Sequence, residues 1–321
     1  MKKSKNYVGI DISKLSFDVA IINDKGTYTH YKFSNDQKGF ESFRALLNKE
    51  ADLCVMEASG PYYLGLATYL NQNLIGVCVI NPLVIKRFCQ MRMTRAKTDK
   101  KDAIMIAEYG RVENPSVWVP ESDYVLELKQ MQAYVEQLNK SRTGFIRQRE
   151  AFSHNSKESL KVQTSLNSMI ETIEKEIKEI EKDMESIIKT YHNSMFDHLQ
   201  SIPGLGRKTS LFLIVVSGGF TKFENSKQLA SYIGISPRIF ESGTSVKGRS
   251  RICKMAMSKI RAMLYVCAWS AKKYNKSCKE LYDRLIEKGK SKKLALIAVV
   301  NKLLKQAFAI ATKKEFYLEI Y

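Results

Sequence analysis

The 321-residue sequence predicts an α/β domain at its N-terminus, a long helical arm in the middle and a mostly helical C-terminal domain. Three observations carry that reading. Residues 7–33 are dense in β-branched and aromatic side chains broken by turn residues. Residues 166–191 repeat apolar side chains in steps of four and three. Beyond residue 193, apolar runs such as SLFLIVVSGG, RAMLYVCAW and LALIAVVNKLL alternate with Lys/Arg-rich turns.

The first strand is YVGIDIS, the second LSFDVAIIND and the third YTHYKFS, with DKG turning the chain between the last two. A helix follows over 36–49, opened by Asn35 or Asp36. DLCVMEAS then reads as a buried strand, PYYLGLATYLNQN as a helix and GVCVINP as a strand, with helices over 82–92 and 99–112. Three hairpin-linked strands followed by strands alternating with helices is the order of an RNase H-like α/β fold, here residues 1–120.

The arm spans 121–192. Leu166, Ile170, Ile173, Ile177, Ile180, Met184, Ile187 and Tyr191 form its seam, and Leu128, Met131, Val135, Leu138, Phe145 and Phe152 form a similar one upstream, with Arg142 and Arg149 intruding. Two long helices joined near 153–164 make either a coiled-coil arm that pairs with another chain or a helical hairpin packed on its own chain. Residues 193–321 form the helical C-terminal domain.

Lys+Arg total 52 against 33 Asp+Glu, a net charge of +19. Residues 201–321 hold 24 of the bases and only 7 of the acids, so the C-terminal domain carries most of the excess. Such a balance favours a polyanion, nucleic acid before a membrane surface. The six cysteines form no CxxC pair and several lie in apolar runs, which points to small buried hydrophobes in a reducing compartment. The N-terminus lacks the apolar core of a signal peptide, and no apolar run approaches the ~20 residues of a membrane span. The expected location is the cytoplasm, at the nucleoid.

Four acids share a logic. Asp11 lies in the first strand, Glu57 ends the fourth, and Asp99 and Asp102 stand three apart on one helix face. In an RNase H-like fold the first and fourth strands are neighbours, and a helix on that sheet edge brings the last two acids to the same point. Carboxylates this close repel unless divalent cations neutralise them, and hard oxygen donors suit Mg²⁺ or Mn²⁺. Two such ions clamp the attacking and leaving oxygens of a phosphodiester. Asp18, Asp24 and Asp52 read as turn or surface residues.

HLQSIPGLGRKTSLFLIV, residues 198–215, has the pattern of a helix-hairpin-helix. Its glycines let backbone N–H groups approach a phosphate, with Arg207 and Lys208 beside them. SPRIFESGTSVKGRSRICKMAMSKIRAML, residues 236–264, sets Ser242, Thr244 and Ser245 in a loop among Arg238, Lys247, Arg249 and Arg251, before a helix with Lys254, Lys259 and Arg261. A serine there needs a base or a metal to become nucleophilic. The four histidines, His30, His154, His192 and His198, lie elsewhere in sequence, which disfavours a Ser-His-Asp hydrolase.

These segments in this order resemble the DEDD transposases of the insertion-sequence one-ten family, the recombinases guided by a bridge RNA. GIDISK, MEASGPY and TDKKDA resemble that family's RuvC-like DEDD domain. IPGLG, LASYIGISPR and ESGTSVKGRSRICK resemble its transposase domain, with a coiled coil between. The resemblance implies Mg²⁺ on Asp11, Glu57, Asp99 and Asp102, and a serine that forms a covalent 5′-phosphoserine with DNA: Ser242 by its place before glycine, Ser245 as the fallback. It implies donor and target DNA and a structured guide RNA as partners, subunits that share composite sites, and dimers that assemble to a tetramer. The chain departs from the family where a glycine and a polar residue precede a helix; Ala256 and Met257 stand there. Two other functions use the same features: a RuvC-type junction nuclease that cleaves with water, and a non-catalytic nucleic-acid-binding protein.

Overall fold

The computed structural model describes residues 6–22, 26–93, 98–155, 157, 159–238, 241–242, 246–247, 251–252 and 257–319. They fall into two compact units, Met1–Glu121 and Ser122–Tyr321.

In the first unit β1 (Asn6–Ile12), β2 (Ser16–Ile22), β3 (Tyr28–Ser34), β4 (Asp52–Glu57) and β5 (Gly76–Ile80) form one sheet in the order β3-β2-β1-β4-β5. The first three pair antiparallel, and β1–β4 and β4–β5 pair parallel. Period-2 alternation feeds two cores. Val8, Ile10, Phe17, Cys54 and Met56 face one side, with Phe40 and Phe43 of α1 (Gln37–Arg44) and Leu66 and Leu70 of α2 (Tyr63–Gln72). Leu53, Val55, Cys78 and Ile80 face the other, with Ile85 of α3 (Pro82–Met91) and Ile106 of α4 (Asp99–Glu113). Burial on both faces explains why β4 and β5 read as continuous apolar runs.

Side-chain caps set the helix starts. The Asp36 carboxylate accepts from the Gly39 N–H, Asn81 accepts from Leu83 N–H ahead of Pro82, and Thr98 accepts from Lys101 N–H.

The second unit opens with α5 (Asp123–Ser153) and α6 (Leu160–Gln200), packed along each other. Leu166, Ile170, Ile177 and Met184 are buried, with Leu128 and Val135 buried on α5. The Arg142 guanidinium donates to Glu174, and that of Arg149 donates to Asn167 at 2.8 Å, so the two intruding arginines are held inside the hairpin. The heptad seam is therefore used within the chain. At its C-terminal end Tyr191 is 57% exposed, yet its ring stacks on Tyr124 of α5 at 4.1 Å. The helix kinks just beyond, at His192, with φ of −142° and ψ of 33°.

Beyond lie α7 (Arg207–Ser217), α8 (Ser226–Ile233), α9 (Ser258–Tyr274), α10 (Lys276–Glu287) and α11 (Lys292–Lys313). The sequence reading found no apolar run near the length of a membrane span, but α11 is long and apolar enough to cross one by length and composition. Its Leu296, Val299, Val300, Leu303 and Leu304 are buried in the core of this unit, where α11 packs on α9, α10, α6 and α8, which accounts for its hydropathy. Cys54, Cys78, Cys267 and Cys278 are buried thiols and Cys89 is half-buried, none of them in a disulfide; Cys253 lies outside the described residues.

Candidate active site and nucleic-acid interface

The acids of the first unit owe their positions to a close helix–sheet contact. A Cβ added to Gly9 would stand 2.0 Å from the Ala103 carbonyl oxygen and 2.4 Å from the Ala107 nitrogen. One added to Gly110 would stand 2.7 Å from Val55. Glycine and alanine thus let the backbone of α4 rest directly on β1. Side chains two apart share a strand face, so Asp11 points to the same side as Gly9. Asp102 precedes Ala103 on α4, and Asp99 lies one turn earlier. Glu57 ends β4, one step beyond the Ile10↔Met56 pair of the β1–β4 ladder.

The result is electrostatic. Burial, and after it the negative charges of Asp102, Glu57, Asp99 and Asp18 in that order of effect, together raise the Asp11 carboxyl to about 6. The four predicted acids therefore share a neighbourhood. They do not share a coordination sphere: among the described residues, no three acids, histidines or cysteines stand close enough to hold a metal ion. Glu57 accepts a hydrogen bond from the Ser59 hydroxyl at 2.9 Å.

Because the arrangement depends on α4 lying flush on β1, Gly9→Ala is expected to lower stability by about 3 kcal/mol. The backbone atoms it meets cannot rotate away. Urea unfolding measures the loss.

Asp18 corrects the sequence reading, which placed it at a turn or on the surface. It is 5% exposed, on β2, and pairs across the ladder with Asp11. Its Oδ1 stands 2.7 Å from the His30 Nε2, and its Oδ2 3.2 Å from the Lys32 Nζ. The Lys32 ammonium also lies 4.0 Å from Asp99. The signal was present: His30 and Lys32 alternate along β3, and period 2 puts both on one face. What sequence lacks is the β2–β3 register, Asp18↔Lys32 and Ala20↔His30, that sets them beside Asp18.

In the second unit α6 and α7 are joined by a tight turn. Gly204 has φ of +98°, and a Cβ there would meet the Ala271 backbone of α9 at 2.6 Å, so only glycine fits. Gly206 caps α7 and has open space around it. Buried Asn275 braces the turn from behind, donating weakly to the Pro203 carbonyl and more closely to Gln306 at 3.1 Å. Arg207 and Lys208 are not bare cations: they pair with Glu185 and Glu181 of α6.

The serine segment, expected as a loop, is a pair of short strand ladders. Pro237–Arg238 (β6) pairs antiparallel with Arg251–Ile252 (β9), and Glu241–Ser242 (β7) with Val246–Lys247 (β8). Ser242 lies opposite Val246, and residues 243–245 lie outside the described residues. Arg238, Lys247 and Arg251 thus sit on strands, whereas Ser245, Arg249, Lys254 and Ala256 lie outside the described residues. The Arg261 guanidinium donates to the Ile233 carbonyl at 3.0 Å, tying α9 to the end of α8. Met257 is the N-cap of α9 and makes no side-chain cap bond.

A mixed sheet in this order with clustered acids, in a chain whose remainder is helical and basic, is compatible with an RNase H-like nucleic-acid enzyme. Residues 8–152 match a family model described as a transposase, of the DEDD IS110 kind, and residues 197–283 match one described as the transposase IS116/IS110/IS902 family. The chain is 33% identical to the pilin gene-inverting protein of Moraxella lacunata over 96% of both chains, and 32% identical to that of Moraxella bovis, also over 96% of both. It is 21% identical to the transposase for insertion sequence element IS1111A of Coxiella burnetii, over 98% of this chain and 92% of the relative. The chain belongs to the IS110 family of transposases, and it is a DNA transposase or recombinase.

Proposed function

We propose that this protein cuts and exchanges DNA strands under the guidance of a structured RNA, through a serine–DNA intermediate. The observation that supports the proposal is the environment of Asp11, whose carboxyl is raised by burial and then by the negative charges of Asp102, Glu57 and Asp99. Four hard oxygen donors of one sign in one neighbourhood suit Mg²⁺ or Mn²⁺. A divalent cation held by Asp11, Glu57, Asp99 and Asp102 would neutralise charge building on the phosphate and favour the serine alkoxide.

Ser242 Oγ attacks the scissile phosphorus, the P–O3′ bond breaks, and the 3′ oxygen leaves as a hydroxyl with the serine's proton. The phosphodiester energy is kept in the 5′-phosphoserine bond, so rejoining to a new 3′-hydroxyl needs no external energy source. Arg238, Lys247, Arg249, Arg251 and Lys254 would neutralise the backbone near the serine, and Arg207 and Lys208 would exchange their glutamates for phosphates at the α6–α7 turn. Base pairing with the guide RNA would choose donor and target, so the protein need not read sequence. Homodimers, and a tetramer on DNA, would assemble with help from the α5–α6 arm, and the protein would act in the cytoplasm at the nucleoid. The Moraxella relatives' names refer to gene inversion. Inversion and transposition both require that DNA strands be cut and rejoined.

End-labelled DNA incubated with protein, guide RNA and Mg²⁺ and run on a denaturing gel tests the proposal. Label retained on protein until protease treatment, and lost with EDTA, is the expected result. Free ends without attached protein would instead make the enzyme a metal-dependent junction nuclease. RNase treatment that leaves the adduct yield unchanged would remove the guide.

A further inference from the structure

The exposed face of α9 is unusual for a basic domain. Ala262, Val266, Trp269 and Lys273, spaced by four, three and four residues, are all exposed along one side of the helix. Val266 is 69% exposed and Trp269 53%. The Lys272 ammonium lies 4.2 Å from the Trp269 ring centre and 4.9 Å from that of Tyr282 on α10. Next along the helix, Lys273 lies 5.1 Å from the ring of Tyr274, itself 63% exposed. Three aromatic rings and two lysines thus form one cluster at the α9–α10 elbow, in a part of the chain where bases outnumber acids by 24 to 7.

We propose that this cluster is a stacking platform for unpaired nucleobases, with Trp269 as the ring on which a base lies. An exposed indole has an apolar face that water serves poorly, and a nucleobase matches it in shape and polarisability. Lys272 holds the ring by cation–π attraction while its charge, with that of Lys273, meets the phosphates on either side of the stacked base. A duplex cannot use the platform, because its base faces are already covered by their neighbours. A second protein copy fits it less well, since two such surfaces would set lysine against lysine. The platform needs neither the carboxylate tetrad nor Ser242, and it concerns bases where the α6–α7 turn concerns phosphates.

The chain has two tryptophans, Trp118 and Trp269. Trp118→Phe leaves Trp269 as the sole indole reporter. Oligo(dT) and oligo(U) should each quench its emission, and a duplex of equal length should not. Relative quenching by the two separates DNA from RNA as the preferred strand. Trp269→Ala should weaken oligonucleotide binding by about 10-fold, and Trp269→Tyr, which restores a ring, should recover most of it. Absence of quenching, with Trp269→Ala binding as tightly as the native chain, overturns the proposal. So does an emission shift that follows protein concentration without any oligonucleotide, which would make the face a contact between copies. Tyr282→Ala, which leaves α9 intact, should weaken binding in the same sense.

Discussion

Replacing Asp11 with asparagine should abolish strand cleavage, by about 10³-fold or more, and at the same time make the metal-free protein more stable. The two effects share one cause. Asp11 sits partly buried on β1 with Asp102, Glu57, Asp99 and Asp18 around it, and its carboxyl ionises at about 6 in the folded chain against 3.8 as the ordinary value. The folded state holds the Asp11 proton more tightly than the unfolded chain does. Ionisation therefore costs stability, beginning as pH rises above the unfolded value and complete once pH passes the folded one. Asparagine does not titrate and avoids that cost. After allowance for solvent screening at a partly exposed group, the gain at pH 7.5 should be about 1–2 kcal/mol, or a few degrees in melting temperature. It should vanish near pH 4. Thermal melts of both proteins at the two pH values, with EDTA, measure it. Equal melting temperatures throughout would mean that the four acids are not coupled to Asp11.

The second large effect concerns Ser242. Ser242→Ala should remove the covalent protein–DNA adduct completely, while DNA binding stays within about two-fold, because only one hydroxyl is lost. Its place before glycine favours this serine, and it lies on β7 opposite Val246. A nucleophile gains from a fixed approach line, since a reacting oxygen must be aligned with the bond that breaks. Ser245→Ala should therefore leave adduct formation close to the native level. Denaturing gels of labelled DNA with each variant decide the matter. Loss in Ser245→Ala and retention in Ser242→Ala would reverse the assignment; retention in both would leave no serine intermediate and point to water as the nucleophile.

Much of the architecture was legible because local chemistry and tertiary demand agreed. The alternation in YVGIDIS and the apolar runs DLCVME and GVCVI became β1, β4 and β5 with ends within a residue or two of those expected. Asp36, Asn81 and Thr98 opened helices because their short polar side chains can accept a backbone N–H. The seam from Leu166 to Met184 was visible as a repeat, but its partner was not. The same stripe serves a second chain or α5 of its own, and only the packed structure places Leu128 and Val135 buried within the hairpin. Tyr191, the last residue of the seam, likewise finds its partner in α5, where the Tyr124 ring stacks on it.

Sequence by itself determined the order of elements, the basic character of the second unit and the candidate acids, because each follows from residue type and spacing along the chain. Tertiary structure decided which of those acids feel one another. Gly9 and Gly110 have no special pattern in sequence; their meaning is that α4 descends onto β1 until its backbone touches, carrying Asp99 and Asp102 toward Asp11. Asp18 needed the same information, since a carboxylate on a strand is turn-like or buried according to what the neighbouring strand supplies, and here β3 supplies His30 and Lys32. Burial and charge proximity are properties of distance in space, and chain spacing fixes that distance only within a single helix or strand.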